Sequence, residues 1–495
     1  MDNIILIIFF LIFTAISLRN IKYGIYAVIF SMPLYLVRFS IEGIPTTALE
    51  IMIYILFFVW IFFEVHSLFL CHFEPVRVRN LRMLLCKKNV HIKTALRYLN
   101  HFAHFKMIKR EDFLNILNIG IVLLFLGLTI STFNSIDLRT SLGIFKGWFV
   151  SPFLFFIVFV SVIKKEKHIN LVLISLVLSG VVVSLISIFY LLNNELTFDG
   201  RLKAFFLSPN HLAMYLSPVL LILLFLLLNI KKVSSIKYQV SSVVILTIIS
   251  IPLFFTYSYG AFLGIFVGVV YLLLMGNKSL FILRDFSRRL QSFSFTSFQS
   301  DWRLKSPNPR LKPGRIQILK FLRKRLLIII FFSFISISFV FISSNKFDQV
   351  IDSENRSSFH SRLMIYNASK EIIKDNPFLG IGPGTFQETY LSYAEEFDEP
   401  YLEWAVSQPH NIFLAFYLQT GLIGFIGFIL ILIWFFKYNR CRNEALPRSY
   451  GVVTALMIYI LVHGLVDTTY WKNDLALIFW IIIGMAVINP ALDKN

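Results

Sequence analysis

Long unbroken apolar stretches recur along this chain, and they constrain its fold more than any motif does. "LVLISLVLSGVVVSLISIF" (171–189) and "LSPVLLILLFLLL" (216–228) are typical. A helix needs about 20 such residues to cross the ~30 Å hydrocarbon layer of a bilayer. Lipid offers no partner for a free backbone group, so only helices or closed barrels cross it. These stretches are continuous rather than alternating, which selects helices over barrel strands. Composition agrees: 57% of the 495 residues are hydrophobic and only 15% are charged, against about 45–50% apolar usage in a soluble domain.

Candidate spans fall near residues 4–18, 22–37, 44–65, 113–132, 141–163, 169–192, 211–230, 238–256, 259–275, 326–343, 410–436, 450–470 and 475–488. The reading is an all-α polytopic bundle of about twelve transmembrane helices with one long external loop. The start, "MDNIILIIFF", has neither a basic first segment nor a small-residue cleavage site, so no cleavable signal peptide is expected.

Charge sets the orientation. The formal net charge is +19. Residues 66–112 hold ten Lys/Arg against three acids, and residues 276–325 hold thirteen against two. Shorter basic connections are "KKEKH" (164–168), "KKVSSIK" (231–237) and "KYNRCR" (437–442). Lys/Arg-rich connections stay in the cytoplasm, and anionic headgroups favour them there. That accounts for the basic inserts without nucleic acid, and no nucleic-acid partner is expected. Alternation then puts 133–140, 193–210, 344–408 and 471–474 outside, with the N-terminus outside as well. Loop 344–408 carries eleven acids against five bases, as suits an outer loop.

The chain therefore divides into N-terminal helices (1–65), a basic insert (66–112), helices with an outer loop at 193–210 (113–275), a basic loop (276–325), one helix (326–343), the long outer loop (344–408) and C-terminal helices (409–495). Cys71, Cys86 and Cys441 all lie on the expected cytoplasmic side, where thiols stay reduced. His66, His72, His91, His101 and His104 lack metal-site spacing, and neither a metal nor a cofactor is expected.

Most spans are bare of ionisable residues. The exceptions are Glu50, Glu64, Lys146, His463 and Asp467. His463 and Asp467 are four apart and would share one helix face, as a polar anchor between helices, part of a proton path or the wall of a catalytic cavity.

Three outer segments carry the chemistry. "FDGRLKAFFLSPNHLAMYLSP" (198–218) sets Arg201 before a span and Asn210 and His211 at its entry. "SSFHSRLMIYNASKEIIKDNPFLGIGPGTF" (357–386) predicts a helix capped by Ser361, ended by Asn376–Pro377, then a glycine-rich turn. Gly380, Gly382 and Gly384 allow left-handed backbone and can expose N–H groups, although "GIGPG" lacks the Lys-Ser/Thr of a P-loop. "SQPHNIFLAFYLQTGLIG" (407–424) puts Pro409, His410 and Asn411 at the lip of another span.

In this order and topology the three segments resemble the O-antigen ligase and polymerase family (the Wzy/WaaL type). The closing "HGLVDTTYWKNDLALIFW" (463–480) looks like the family's last helices. The resemblance covers about 198–275 and 355–488; the two basic inserts lie outside it. Tyr259 stands where many members have arginine.

The resemblance implies a GT-C-like, inverting, metal-independent membrane glycosyltransferase in a bacterial inner membrane. Its donor would be an undecaprenyl diphosphate-linked glycan and its acceptor a sugar of lipid A–core or a related glycan, with the active site on the outer face. A glycosyl diphosphate breaks with negative charge gathering on the leaving phosphate. Guanidinium groups suit that charge, being planar and always ionised; Arg201 and Arg362 are the candidates. The attacking hydroxyl needs an acceptor for its proton, and histidine ionises near neutral pH; His410 is the candidate. Asn210, His211, Gly382, Gly384, Asn411, His463 and Asp467 complete the expected substrate site, with Asn411 orienting the imidazole. Three other readings stay open: a polymerase joining carrier-linked repeats, an O-glycosylating enzyme acting on protein, and a transporter of polyprenyl-linked sugars. The transporter would need working charges deep in the membrane.

Overall fold

A computed structural model describes residues 3–72, 111–229, 236–274, 358–393, 406–442 and 449–488. The expected span at 326–343 and most of both basic inserts fall outside the described residues. Within them the chain is a polytopic helical membrane protein. Six helices are long and apolar enough to cross a bilayer, and six more are apolar but shorter.

The N-terminal part departs from the expected pattern. Helices α1 (Asn3–Arg19) and α2 (Ile21–Phe30) are followed by a 3₁₀ turn at Met32–Leu36. The ten residues of α2 rise only about 15 Å, half a bilayer. Residues 22–37 are thus not one span: Pro33 brings no N–H with which the helix could continue. A hairpin follows, β1 (Arg38–Ile41) and β2 (Ile44–Thr47), antiparallel with Arg38 opposite Thr47. Its two-residue turn puts both Glu42 (φ 49°) and Gly43 (φ 80°) in left-handed backbone, as the tightest hairpins require. Helix α3 (Ala48–His72) starts only after the second strand.

The rest matches the apolar stretches closely. Helix α4 is Glu111–Phe133. Helix α5 (Leu138–Ile144) passes through a π-helical turn (Phe145–Val150) into α6 (Ser151–Val162). Then come α7 (Glu166–Leu192), α8 (Pro209–Asn229), α9 (Ile236–Phe255) and α10 (Tyr259–Leu274). Residues 358–393 supply α11 (Ser358–Asp375) and the short α12 (Phe386–Ser392). Helix α11 begins three residues before Ser361, which is buried within its first turn rather than capping it. Helices α13 (Ile412–Arg442), α14 (Ser449–His463) and α15 (Asn473–Val487) close the chain. Helix α15 is buried along its whole length, as a helix apolar on every face must be when it sits inside a bundle.

Helices α4 and α13 pack along a glycine seam. A Cβ on Gly127 would stand 2.1 Å from the Gly424 nitrogen, and one on Gly427 would stand 2.3 Å from the Leu124 nitrogen. In lipid, association depends on such close backbone contact, because lipid tails compete for apolar side chains. Helix α13 is broken at Gly421, whose φ of 67° leaves the helical region. The glycine-rich turn docks into that break: Ile381 N–H donates to the Leu418 carbonyl (2.7 Å) and Leu422 N–H to the Phe378 carbonyl (3.0 Å). A buried apolar cluster, including Ile365, Ile372, Phe386, Tyr390 and Leu418, holds α11 and α12 onto α13.

The bundle has two chemically different ends. At one, Lys22 Nζ lies 3.3 Å from His168 Nε2 and the Tyr26 hydroxyl 2.8 Å from His168 Nδ1. The α1–α2 turn thus meets the "KKEKH" connection, which puts these basic residues together at one end. The hairpin, the 193–208 connection, the α9–α10 turn, α11, α12 and the α14–α15 connection lie at the other end.

Candidate active site

Side chains from four segments meet at this second end. The loop before α8 closes on itself when Thr197 N–H donates to the Arg201 carbonyl (2.9 Å) and Arg201 N–H to Thr197 Oγ1 (3.1 Å). That closure fixes Arg201, whose Nε donates to the Thr256 carbonyl (2.8 Å) and Nη2 to Asn210 Oδ1 (2.5 Å). Asp199 Oδ2 stands 3.8 Å from Nη1. Burial lowers the Arg201 pKa; Asp199 and Asp467 oppose the shift, and the nearby Arg362 cation adds to it. Two guanidinium groups within electrostatic reach of each other form a place suited to an anion.

Arg362 comes from α11. Its Nε donates to the Val466 carbonyl (3.1 Å) in the α14–α15 connection. One turn later Tyr366 shares its hydroxyl proton between the carbonyls of His410 (3.0 Å) and Leu465 (3.2 Å). Both side chains lie on one helix face, so α11 straddles the residues that surround His410.

His410 has a left-handed backbone, φ 45°. For a non-glycine residue that costs about 1–3 kcal/mol and persists only where neighbours enforce it. Here they do. Tyr366 holds its carbonyl, Ile412 N–H donates to the Gly464 carbonyl (2.7 Å), and Gln408 Oε1 accepts from Gln419 Nε2 (2.7 Å). The imidazole Nδ1 is buried without a hydrogen-bond partner and lies 3.5 Å from Asp467 Oδ1.

Asp467 is the hub. Its Oδ1 accepts from Thr468 N–H (2.8 Å) and its Oδ2 from Asn210 Nδ2 (2.8 Å). Burial alone would raise its pKa, but the contact with His410 and the Thr468 N–H outweigh burial and hold the carboxyl well below the usual range. Asp467 is therefore an anion at neutral pH and can only accept hydrogen bonds.

The structure gives several of the expected substrate ligands other work. His463 is the last residue of α14, and Asp467 lies in the turn beyond, so the two do not share a helical face. His463 Nδ1 is 2.8 Å from the Tyr459 hydroxyl in the core. His211 is buried beneath the site, its Nε2 3.2 Å from Asp474 and 3.3 Å from the Tyr35 hydroxyl. Gly382 N–H donates to Ser131 Oγ (3.0 Å) and Gly384 N–H to Gln419 Oε1 (2.8 Å). Those donors fasten the turn to α4 and α13 and do not form an anion cradle. Asn411 does not orient the imidazole either: its Oδ1 caps α13 through Phe413 N–H (2.9 Å) and its Nδ2 donates to the Leu465 carbonyl (3.0 Å).

Glu50 and Lys146 pair at 3.0 Å, with Asn473 Nδ2 donating to Glu50 Oε1 (3.0 Å). Glu50, His211, His463 and Asp474 thus sit within a few residues of helix ends on the site side of the bundle, and Lys146 lies in the π-helical turn between α5 and α6. Sequence reasoning misses Tyr366, Gln419 and Asp474. Tyr366 alone has a signal, its four-residue spacing from Arg362; the other two need the folded structure. No group of acids, histidines and cysteines with metal-site geometry occurs among the described residues.

The family model described as O-Antigen ligase matches residues 244–429 of this chain. The match includes Arg362 and His410. Arg201, Asn210 and Asp467 lie outside it, and the fold brings them to the same place. No curated protein matches the chain.

Proposed function

We propose that this chain, which carries an O-antigen ligase domain over residues 244–429, transfers a glycan from a polyprenyl diphosphate carrier to a sugar hydroxyl. The domain supports an O-antigen ligase- or polymerase-type membrane enzyme; the reaction, donor and acceptor are our reading. One observation carries that reading. Two half-buried arginines and a carboxylate-backed histidine, far apart in sequence, converge at the end opposite the "KKEKH" connection.

The steps derive from the groups present. The acceptor oxygen attacks the anomeric carbon while the bond from that carbon to the diphosphate oxygen breaks. Arg201 and Arg362 stabilise the charge that gathers on the leaving diphosphate. Asp467 can only accept, so a favourable contact requires the His410 proton on Nδ1. Nε2 is then left with its lone pair, ready to take the proton of the acceptor hydroxyl. The 3.5 Å separation is one that substrate binding can shorten, since catalytic hydrogen bonds tighten once substrate is bound. By the charge alternation the site faces outward, and the family resemblance implies a bacterial inner membrane. Glu50, His211, His463 and Asp474 sit at helix ends, which favours transfer chemistry at the membrane surface over transport.

His410→Gln tests the assignment. Glutamine can accept a hydrogen bond but cannot take a proton. Single-turnover transfer by the purified full chain should fall about 10²–10⁴-fold, with donor affinity unchanged. Intact transfer would remove His410 from the reaction, and lost donor affinity would move it to the diphosphate site. In a deletion strain, loss of polymer from the lipid anchor with carrier-linked polymer accumulating marks a ligase. A single-repeat cap marks a polymerase.

A further inference from the structure

Asn210 occupies a position that the proposed chemistry does not use. Its Oδ1 accepts from Arg201 Nη2 at 2.5 Å, and its Nδ2 donates to Asp467 Oδ2 at 2.8 Å. The other carboxylate oxygen of Asp467 faces His410 Nδ1 at 3.5 Å. A continuous polar chain therefore runs Arg201–Asn210–Asp467–His410. Its direction is fixed at both ends, because a guanidinium only donates and a carboxylate only accepts. An amide is the neutral side chain that joins the two, with its oxygen toward one and its nitrogen toward the other. Its place in the sequence suggests a substrate ligand, but both ends of the Asn210 amide are already engaged with protein.

We propose that Asn210 is a positioning residue that couples the diphosphate clamp to the acceptor histidine, by taking a hydrogen bond from Arg201 and giving one to Asp467. This rests on the proposed roles of Arg201 and His410. When Arg201 turns its guanidinium toward a bound diphosphate, the pull passes to the Asn210 amide and then to the carboxylate that faces His410. Donor occupancy and the setting of His410 are thereby linked. The Tyr366 and Gln419 contacts hold the backbone around His410, whereas this chain acts on its side chain.

Asn210→Asp tests the idea with almost no change of shape. A carboxylate there would still hold Arg201, and at least as tightly. It could not donate to Asp467 and would repel it. We expect the rate of transfer at saturating donor to fall about 10-fold or more, with the donor KM within about 3-fold of wild type and the purified full chain still unfolding cooperatively at a somewhat lower temperature. Near-normal transfer would overturn the proposal, leaving Asn210 as a seat for Arg201 alone. A raised donor KM at unchanged kcat would overturn it too, making Asn210 part of the donor site.

Should N210D fold poorly, Asn210→Ala in the His410→Gln background gives the same decision. If Asn210 acts through His410, removing it there costs less than about 3-fold. An equal loss in both backgrounds overturns the proposal. Arg201→Ala and His410→Ala run beside these variants. If both keep normal transfer, the assignment of the site itself has failed, a result distinct from failure of the coupling alone.

Discussion

Asp467→Asn exchanges one oxygen for an NH2 at nearly constant shape, and the surrounding hydrogen bonds determine its effect. In the wild type, Asp467 accepts from Thr468 N–H and from Asn210 Nδ2, both at 2.8 Å, and faces His410 Nδ1 at 3.5 Å. All three neighbours point donors at it. A carboxylate satisfies three donors; an amide presents one accepting oxygen and one donating nitrogen. If the new oxygen takes the Thr468 N–H, the new NH2 confronts Asn210 Nδ2. Turning Asn210 over relieves that clash but sets its NH2 against the Arg201 guanidinium. If instead the new NH2 faces Thr468 and His410, His410 must accept on Nδ1 and carry its proton on Nε2, the wrong tautomer for a base. Every arrangement leaves a buried donor unpaired, at about 1–3 kcal/mol, and one of them disables the histidine. We expect single-turnover transfer by the purified chain to fall about 10²–10⁴-fold, with donor affinity changed by less than about 10-fold. Tautomer-sensitive ¹⁵N shifts of the His410 ring should separate the arrangements, the proton leaving Nδ1 where the new NH2 faces His410. Transfer within about 10-fold of wild type would refute the account of how Asp467 sets His410.

Arg201→Lys and Arg362→Lys should each lower transfer at least about 10-fold, some 1.4 kcal/mol in barrier, because an ammonium cannot fork onto phosphate oxygens; donor titrations at equal membrane levels check this. The depressed Asp467 carboxyl contributes stability that is full above the unfolded value near ~3.9 and is lost as pH falls below it. The gap in unfolding free energy between wild type and D467N should therefore stay flat from neutral pH down to about 5 and narrow below about 4. Gly127→Val should destabilise the fold by about 1–3 kcal/mol or prevent its assembly, since a Cβ there meets the Gly424 backbone at 2.1 Å, whereas Gly143→Ala meets nothing within 4 Å and should be silent in the same melting assay. Cys71, Cys86 and Cys441 should resist a membrane-impermeant maleimide in intact spheroplasts, and labelling of Cys441 would reverse the orientation.

The apolar stretches alone determined that this chain crosses a membrane as helices, and approximately where. Only helices and closed barrels satisfy a backbone within about 30 Å of hydrocarbon, and continuous rather than alternating stretches select helices. The same logic explains the misses. Hydropathy reads Met32–Leu36 and β2 as continuations of spans, because it weighs side chains and ignores the N–H that Pro33 lacks. Arg201, Arg362 and His410 each sit in a distinctive segment with chemistry of its own, and the fold brings the three segments to one end. Their neighbours were not legible in the sequence. His463 and Asp467 look like a helical pair by spacing, until the helix ends at His463 and Asp467 turns toward Asn210 and His410. Gly382 and Gly384 look like free N–H donors, until Ser131 and Gln419, from two other helices, take them. Residue identity determines which groups can donate, accept or carry charge. Only the packing of helices far apart in the chain decides which of those groups are spent on the protein itself and which remain for a substrate.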